Sequence, residues 1–197
     1  MSTSVQNGVV RRPGGRTADV TNRVHQAIID LLVEGGVQEC TFSAVAERAG
    51  IERSTLYRRF PDRWEAIIDA LMDVAAKDIL PDVGDSLVED LRSVLRKVRD
   101  ALDSPLGPAV LAVAIELQAG RGTYPRAYFD RRMEQLQPMF DAAVARGELA
   151  AGVDCETLFS CAAGPIYFRK FIAARPLDDA FIDEIVDNIC RLYCMEA

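Results

Sequence analysis

From Val20 to Tyr193 the apolar residues of this chain recur three and four positions apart, and over no strand-length stretch do they alternate with period two. Such spacing puts them along one face of an α-helix, whereas a half-buried strand needs strict alternation. The pattern therefore predicts an all-α protein. Val20, Val24, Ala27, Ile28, Leu31 and Leu32 form the first stripe, and Gly35 and Gly36 supply the positive-φ stop that a helix end favours. Thr41 is placed to cap a second helix carrying Val45, Ala46 and Ala49, which Gly50 ends. A short third helix runs from about Arg53 to Phe60, and Asp62 with Glu65 resembles a capping box at the head of a fourth, fading near Leu80.

Downstream, Leu87, Leu91, Val94, Leu95, Val98 and Leu102 mark a fifth helix, broken by Asp103 to Pro108. A short sixth runs from Val110 to Gln118, and Phe129, Met133, Leu136, Phe140 and Val144 define a long seventh with Pro138 inside it. Two more close the chain, from about Cys155 to Ala174 with Pro165 inside, and from about Asp178 to Tyr193, giving about nine helices in all. The organisation expected is a flexible basic arm over 1–17, a three-helix N-terminal unit over 18–63, and a larger C-terminal helical unit over 64–197.

The formal charge of -7 speaks against a polyanionic partner until its distribution is considered. Residues 1–63 hold nine arginines against seven acidic residues, whereas residues 64–197 hold fourteen basic against twenty-three acidic. The longest mid-chain apolar run, Ala109 to Ile115, is far below the ~20 residues of a membrane span. With no signal-peptide core at the N-terminus, a soluble cytoplasmic protein is expected. Five cysteines fall at no disulfide-framework or metal-ligand spacing and read as small buried hydrophobes, with Cys190 and Cys194 one helical turn apart. One histidine, His25, beside the first apolar stripe, and no phosphate loop, nucleophile elbow or metal cluster argue against an enzyme, and no cofactor is expected.

Thr41 to Phe60 has the layout of a helix-turn-helix: a capped helix, Gly50 at the bend, Ile51 plugging the core, and a second helix anchored by Leu56 and Phe60. The outer face of that helix is left to Arg53, Ser54, Thr55, Tyr57, Arg58 and Arg59. Arginine can donate two hydrogen bonds to guanine O6 and N7, and hydroxyls adapt to several base edges. Tyr57 and Arg63, with the free N–H groups at the start of the helix capped by Thr41, suit phosphates.

The stretch Thr41 to Leu71 resembles the DNA-binding region of the Tet repressor (TetR) family in its Gly-Ile turn, its Thr55-Leu56-Tyr57 to Phe60 core and Arg63 heading the fourth helix. Gly164-Pro165-Ile166-Tyr167-Phe168 and Arg175-Pro176-Leu177 resemble C-terminal domains of that family. The resemblance implies base contacts from Ser43, Arg53, Ser54, Thr55 and Arg59, and phosphate contacts from Thr41, Tyr57 and Arg63. Glu52 departs from the commoner small hydroxyl cap; a carboxylate there can cap the helix, accept from a cytosine amino group, or repel phosphate. Arg11, Arg12 and Arg16 are candidates for an adjacent minor groove.

The family likeness further implies a homodimeric, ligand-released transcriptional repressor on a palindromic double-stranded DNA operator, with the last two helices as the dimer seam. It also implies a pocket within helices four to seven for a small hydrophobic or amphipathic effector. Leu95, Leu111, Ile115, Phe129, Met133 and Phe140 are the candidate lining, with Glu116 and Gln118 as polar anchors. A non-DNA helical binding protein and a transcriptional activator remain the alternative readings.

Overall fold

The computed structural model describes residues 15–79, 83–120 and 124–195, and within them the chain is all-helical. In order, the helices are α1 (Gly15–Glu39), α2 (Phe42–Ala49), α3 (Arg53–Arg59), α4 (Arg63–Asp78), α5 (Leu87–Asp103), α6 (Leu106–Gly120), α7 (Tyr124–Ala145), α8 (Cys155–Tyr167) and α9 (Asp179–Tyr193). A single π-helical turn, Phe168–Ile172, extends α8. The extended pairing among the described residues is one isolated antiparallel bridge, Leu149 with Cys194.

Local chemistry sets most boundaries. Gly36, at φ 73°, breaks the run of α1, and Gly50, at φ 63°, closes α2 by donating its N–H to the Ala46 and Glu47 carbonyls. Asp62, Asp154 and Asp178 cap α4, α8 and α9 by accepting from first-turn amides. Boundaries differ from the sequence pattern at α1, which begins at Gly15 inside the arm expected over 1–17, and at α6, which begins at Leu106, four residues before the expected Val110. Pro108 lies in its first turn, where a missing N–H breaks no intrahelical bond. Gly107 lets that turn approach α5, since a Cβ there would collide with the Leu102 carbonyl.

Two buried clusters form the core. The first joins α1, α2 and α3 with the first half of α4, Trp64 to Met72, and with Ala109, Val113 and Leu117 of α6. It thus crosses the 63/64 boundary that the sequence suggests. The second is built from α5, α7, α8 and α9 around Leu91, Leu95, Leu136, Phe140, Ile166 and Val186. Outside it, Arg92 and Arg99 of α5 pair with Asp183 and Asp179 of α9. Of the five cysteines only Cys40 is fully buried, and Cys161 is exposed; all are free thiols. Burial pushes the Cys40 thiol up to about 12, against the opposing charge of Arg63. No helix among the described residues is long and apolar enough to cross a membrane.

Candidate nucleic-acid interface and interior cavity

Helices α2 and α3 meet through a turn held by hydrogen bonds at both ends of α2. Thr41 Oγ1 accepts from the Ala44 amide at 3.2 Å, fixing the start of α2. At the other end, Ile51 N donates to the Ala46 carbonyl, and Arg23 on α1 donates to the Ala49 carbonyl at 2.8 Å. Leu56 and Phe60 are buried and Ile51 packs against the same cluster, so α3 is held from behind.

What α3 turns outward is cationic and hydroxylic. Arg53, Ser54, Tyr57, Arg58 and Arg59 are exposed, Thr55 and Arg63 are half-buried, and Thr41 and Ser43 stand exposed at the start of α2. The Tyr57 ring rests edge-on against Phe42 at 5.0 Å between centroids while remaining 58% exposed. Its hydroxyl accepts from Arg53 Nη2 at 3.1 Å. Arg59 points back toward α1, donating to Thr21 Oγ1 and stacking on Phe60. Arg63 lies over the Trp64 ring at 4.9 Å. Among the described residues, none of Arg53, Arg58, Arg59 and Arg63 is ion-paired with a carboxylate, whereas Arg48 is held by Glu34 through two 2.7 Å bonds.

Glu52 precedes α3 in extended conformation and makes no side-chain cap, which removes the capping role from its alternatives. Arg11, Arg12 and the side chain of Arg16 lie outside the described residues. Sequence reasoning missed Arg23, Phe42 and Thr21. Phe42 had a signal, being the apolar residue directly after a cap; the other two act across helices and leave no local mark.

A second feature lies deeper. A cavity of about 670 Å³ opens between α4, α5, α6, α7 and α8. Leu71, Val74, Ala75 and Ile79 of α4 form one wall, and Val98, Leu102, Leu106, Val110 and Phe159 supply most of the remaining apolar surface. Of the lining expected from sequence, Phe129 and Gln118 are there. The others are elsewhere: Leu95 and Phe140 are completely buried in the second core cluster, and Met133 packs against that cluster. Leu111 is half-buried away from the cavity, Ile115 is exposed, and Glu116 is exposed and accepts from Gln38. They fall outside because α5, α6 and α7 turn those faces into packed protein or to solvent.

The cavity's polar groups are Arg132, Tyr128, Tyr167, Ser160 and Gln118, with Arg126, Asp130 and Glu156 also contributing. Arg132 is only 7% exposed. Burial pushes its guanidinium down, and the charges of Tyr128 and of the 38% exposed Tyr167 oppose that shift. Among the described residues no group of three or more His, Cys, Asp or Glu side chains is arranged to hold a metal.

On the flank formed by α8 and α9, Phe168, Ile172 and Leu192 are 61%, 72% and 73% exposed. The apolar stripe legible in the last helix, Ile182, Ile185, Val186 and Ile189, is consumed by the chain's own core.

Comparison with known proteins agrees with this geometry. Residues 26–71 match the sequence profile described as "Bacterial regulatory proteins, tetR family", and residues 80–189 match that described as "Tetracyclin repressor-like, C-terminal domain". The uncharacterized HTH-type transcriptional regulator YdeS of Bacillus subtilis is 27% identical over 172 residues, spanning 83% of this chain and 86% of YdeS. The DNA-binding transcriptional repressor TetR of Mycobacteroides abscessus is 28% identical over 166 residues, 82% of this chain and 86% of its own. Among solved structures, the TetR family transcription regulator SCO0332 superposes with a TM-score of 0.73 at 24% identity, covering 88% of this chain and 97% of that one. The flavonoid-responsive regulator FrrA gives a TM-score of 0.63 at 19% identity, covering 91% and 100%.

Proposed function

Since this chain belongs to the TetR family of bacterial transcriptional regulators, we propose that it is a homodimeric repressor that reads a palindromic operator and is released by a small molecule in the α4–α8 cavity. The observation carrying the DNA-reading role is the outer face of α3, where arginines that pair with no carboxylate among the described residues stand beside hydroxyls on a helix anchored by Leu56 and Phe60. Such a face costs little to place in a major groove, because no ion pair among the described residues must be broken first. Arg53, Ser54 and Thr55 take the base edges, with Ser43 and Arg58 beside them; Thr41, Tyr57 and Arg63 take phosphates. Arg59 must give up Thr21 to join them.

Release follows from helix α4. Its first half is part of the reading head's core, and Leu71, Val74, Ala75 and Ile79 face the cavity. A ligand that fits one position of α4 better than another changes DNA affinity by that difference in binding free energy. Dimerisation uses the exposed Phe168, Ile172 and Leu192, which a second copy would cover.

The test is to recover bound duplex from a random pool with the purified dimer, then screen metabolites for release of the enriched sequence. Enrichment of an inverted repeat supports the reading, and binding without sequence preference at moderate salt overturns it. A sequence-specific complex that a metabolite tightens would instead make the protein an activator or a co-repressor-dependent regulator.

A further inference from the structure

We propose that the molecule held in the α4–α8 cavity is an amphipathic monoanion, in the first place a hydrophobic carboxylate, whose head group pairs with Arg132. This deepens the ligand-release reading above and rests on it. The basis is one mismatch between the cavity and its lining. Arg132 is 93% buried by side chains that include the cavity walls, keeps its charge at neutral pH, and forms no ion pair with any described residue. Its one hydrogen bond among the described residues is from Nη1 to Gln135 Oε1, three residues on in the same helix, at 3.3 Å. Nη2 is buried and has no hydrogen-bond partner among the described residues.

An unpaired buried cation is costly to a fold, and proteins place one where a partner arrives later or where a shell of dipoles replaces water. Here the neighbours are apolar walls and two phenols, Tyr128 and Tyr167, that interact electrostatically with the guanidinium. Phenol hydroxyls are donors to an anion as readily as acceptors from a cation, so all three groups can face one negatively charged head. The planar guanidinium fork fits a carboxylate with two parallel bonds.

The other carboxylates of the site limit the charge the ligand can carry. Asp130 is paired with Arg126 at 3.6 Å, and Glu156 is exposed at the α8 end. Both repel a second negative charge, which favours a monoanion over a phosphate monoester. The ligand's body is set by Val98, Leu102, Leu106, Val110 and Phe159, apolar side chains without a polar partner to offer. The volume, about 670 Å³, lies in the range that encloses drug-sized molecules.

The test uses the full chain and two matched probe pairs, decanoate with decan-1-ol and 2-naphthoate with naphthalene-2-methanol, titrated by calorimetry. In the wild type at least one acid binds ten times or more tighter than its alcohol. Arg132→Met, close in volume and free of the buried charge, abolishes that preference with helicity retained by circular dichroism; Arg132→Lys, kept as a second variant, restores part of the preference. Equal binding of acid and alcohol by the wild type, or a preference that survives Arg132→Met, overturns the anion assignment and leaves the cavity reading standing. Absence of binding by all four probes, with release of operator by none, overturns the cavity reading together with it.

Discussion

His25 is enclosed by two carboxylates of a neighbouring helix: Nε2 lies 2.9 Å from Asp69 and Nδ1 3.2 Å from Asp73. The ring is 7% exposed. Burial alone would lower its pKa, but the bonds and charges of Asp69 and Asp73 outweigh that and raise it above 6.5. Asp69 is lowered, first by its bond to His25, with Arg59 and Arg131 adding to the effect. Asp73 is also lowered: burial opposes the shift, and its bonds to Lys77 and His25 prevail. A raised histidine contributes stability that is fully present below 6.5 and is lost as pH rises through the folded value. The two aspartates contribute above their ordinary 3.8 and lose that contribution as pH falls through their depressed values. The midpoint of thermal unfolding should therefore fall as pH is taken from near 6 to well above neutrality, and His25→Gln should flatten that fall. Circular dichroism melts measure it, and an unchanged slope in the variant would remove His25 as the cause. At the low end of the range the variant should cost on the order of 1–3 kcal/mol, the penalty of two carboxylates losing their buried donor.

At the DNA face, Arg53→Ala should cost about 1–3 kcal/mol on the preferred operator and relax selection at one base position. Tyr57→Phe should weaken all duplexes alike, because it removes a phosphate donor. The 3.1 Å bond between the two side chains makes their effects less than additive, a coupling that a double-mutant cycle reads. Uniform and equal losses in both single variants would contradict this division of roles.

Helix α2 is the element whose termini decide whether the reading head holds its shape. Thr41→Ala should cost about 1 kcal/mol by removing the cap, and Thr41→Ser should restore it, as measured by urea unfolding. Gly50→Ala should cost about 1–2 kcal/mol, since a side chain is strained at that left-handed φ. These ends were readable in the sequence because each depends on residues within three or four positions of it. The same holds for the apolar stripes and for the outward residues of α3. What could not be read is non-local. The cavity is shaped by five helices meeting, so residues on the right helices, such as Leu95 and Phe140, proved to be solid core. Arg132 did leave a trace: it falls on the apolar stripe of α7 between Phe129 and Leu136, a charge on a face that should carry none. The early start of α6 was hidden by Gly107 and Pro108, which punctuate a chain in isolation and permit close packing in this one.

For the molecule as a whole, the exposed apolar flank predicts its assembly. Ile172→Asp should shift the protein from dimer to monomer in sedimentation equilibrium with helicity retained, and should weaken operator binding at least tenfold, because each head would then bind a half-site alone. A dimer undisturbed by that substitution would place the seam elsewhere. The charge asymmetry works with this arrangement, since the acidic residues of 64–197 repel a polyanion that the arginines of the head attract.

The sharing of α6 between both interiors limits how the protein can be taken apart. Ala109 and Val113 belong to the core under the helix-turn-helix, while Leu106, Val110 and Leu117 line the cavity and pack with that same core. A chimera that transplants residues 18–63 onto a different sensor would leave Trp64, Ile67 and Leu71 without their counterparts and strip the underside of α1. A working graft must carry α4 with it and find in its new host a helix shaped like α6, so the helix-turn-helix and the cavity cannot be exchanged as independent modules.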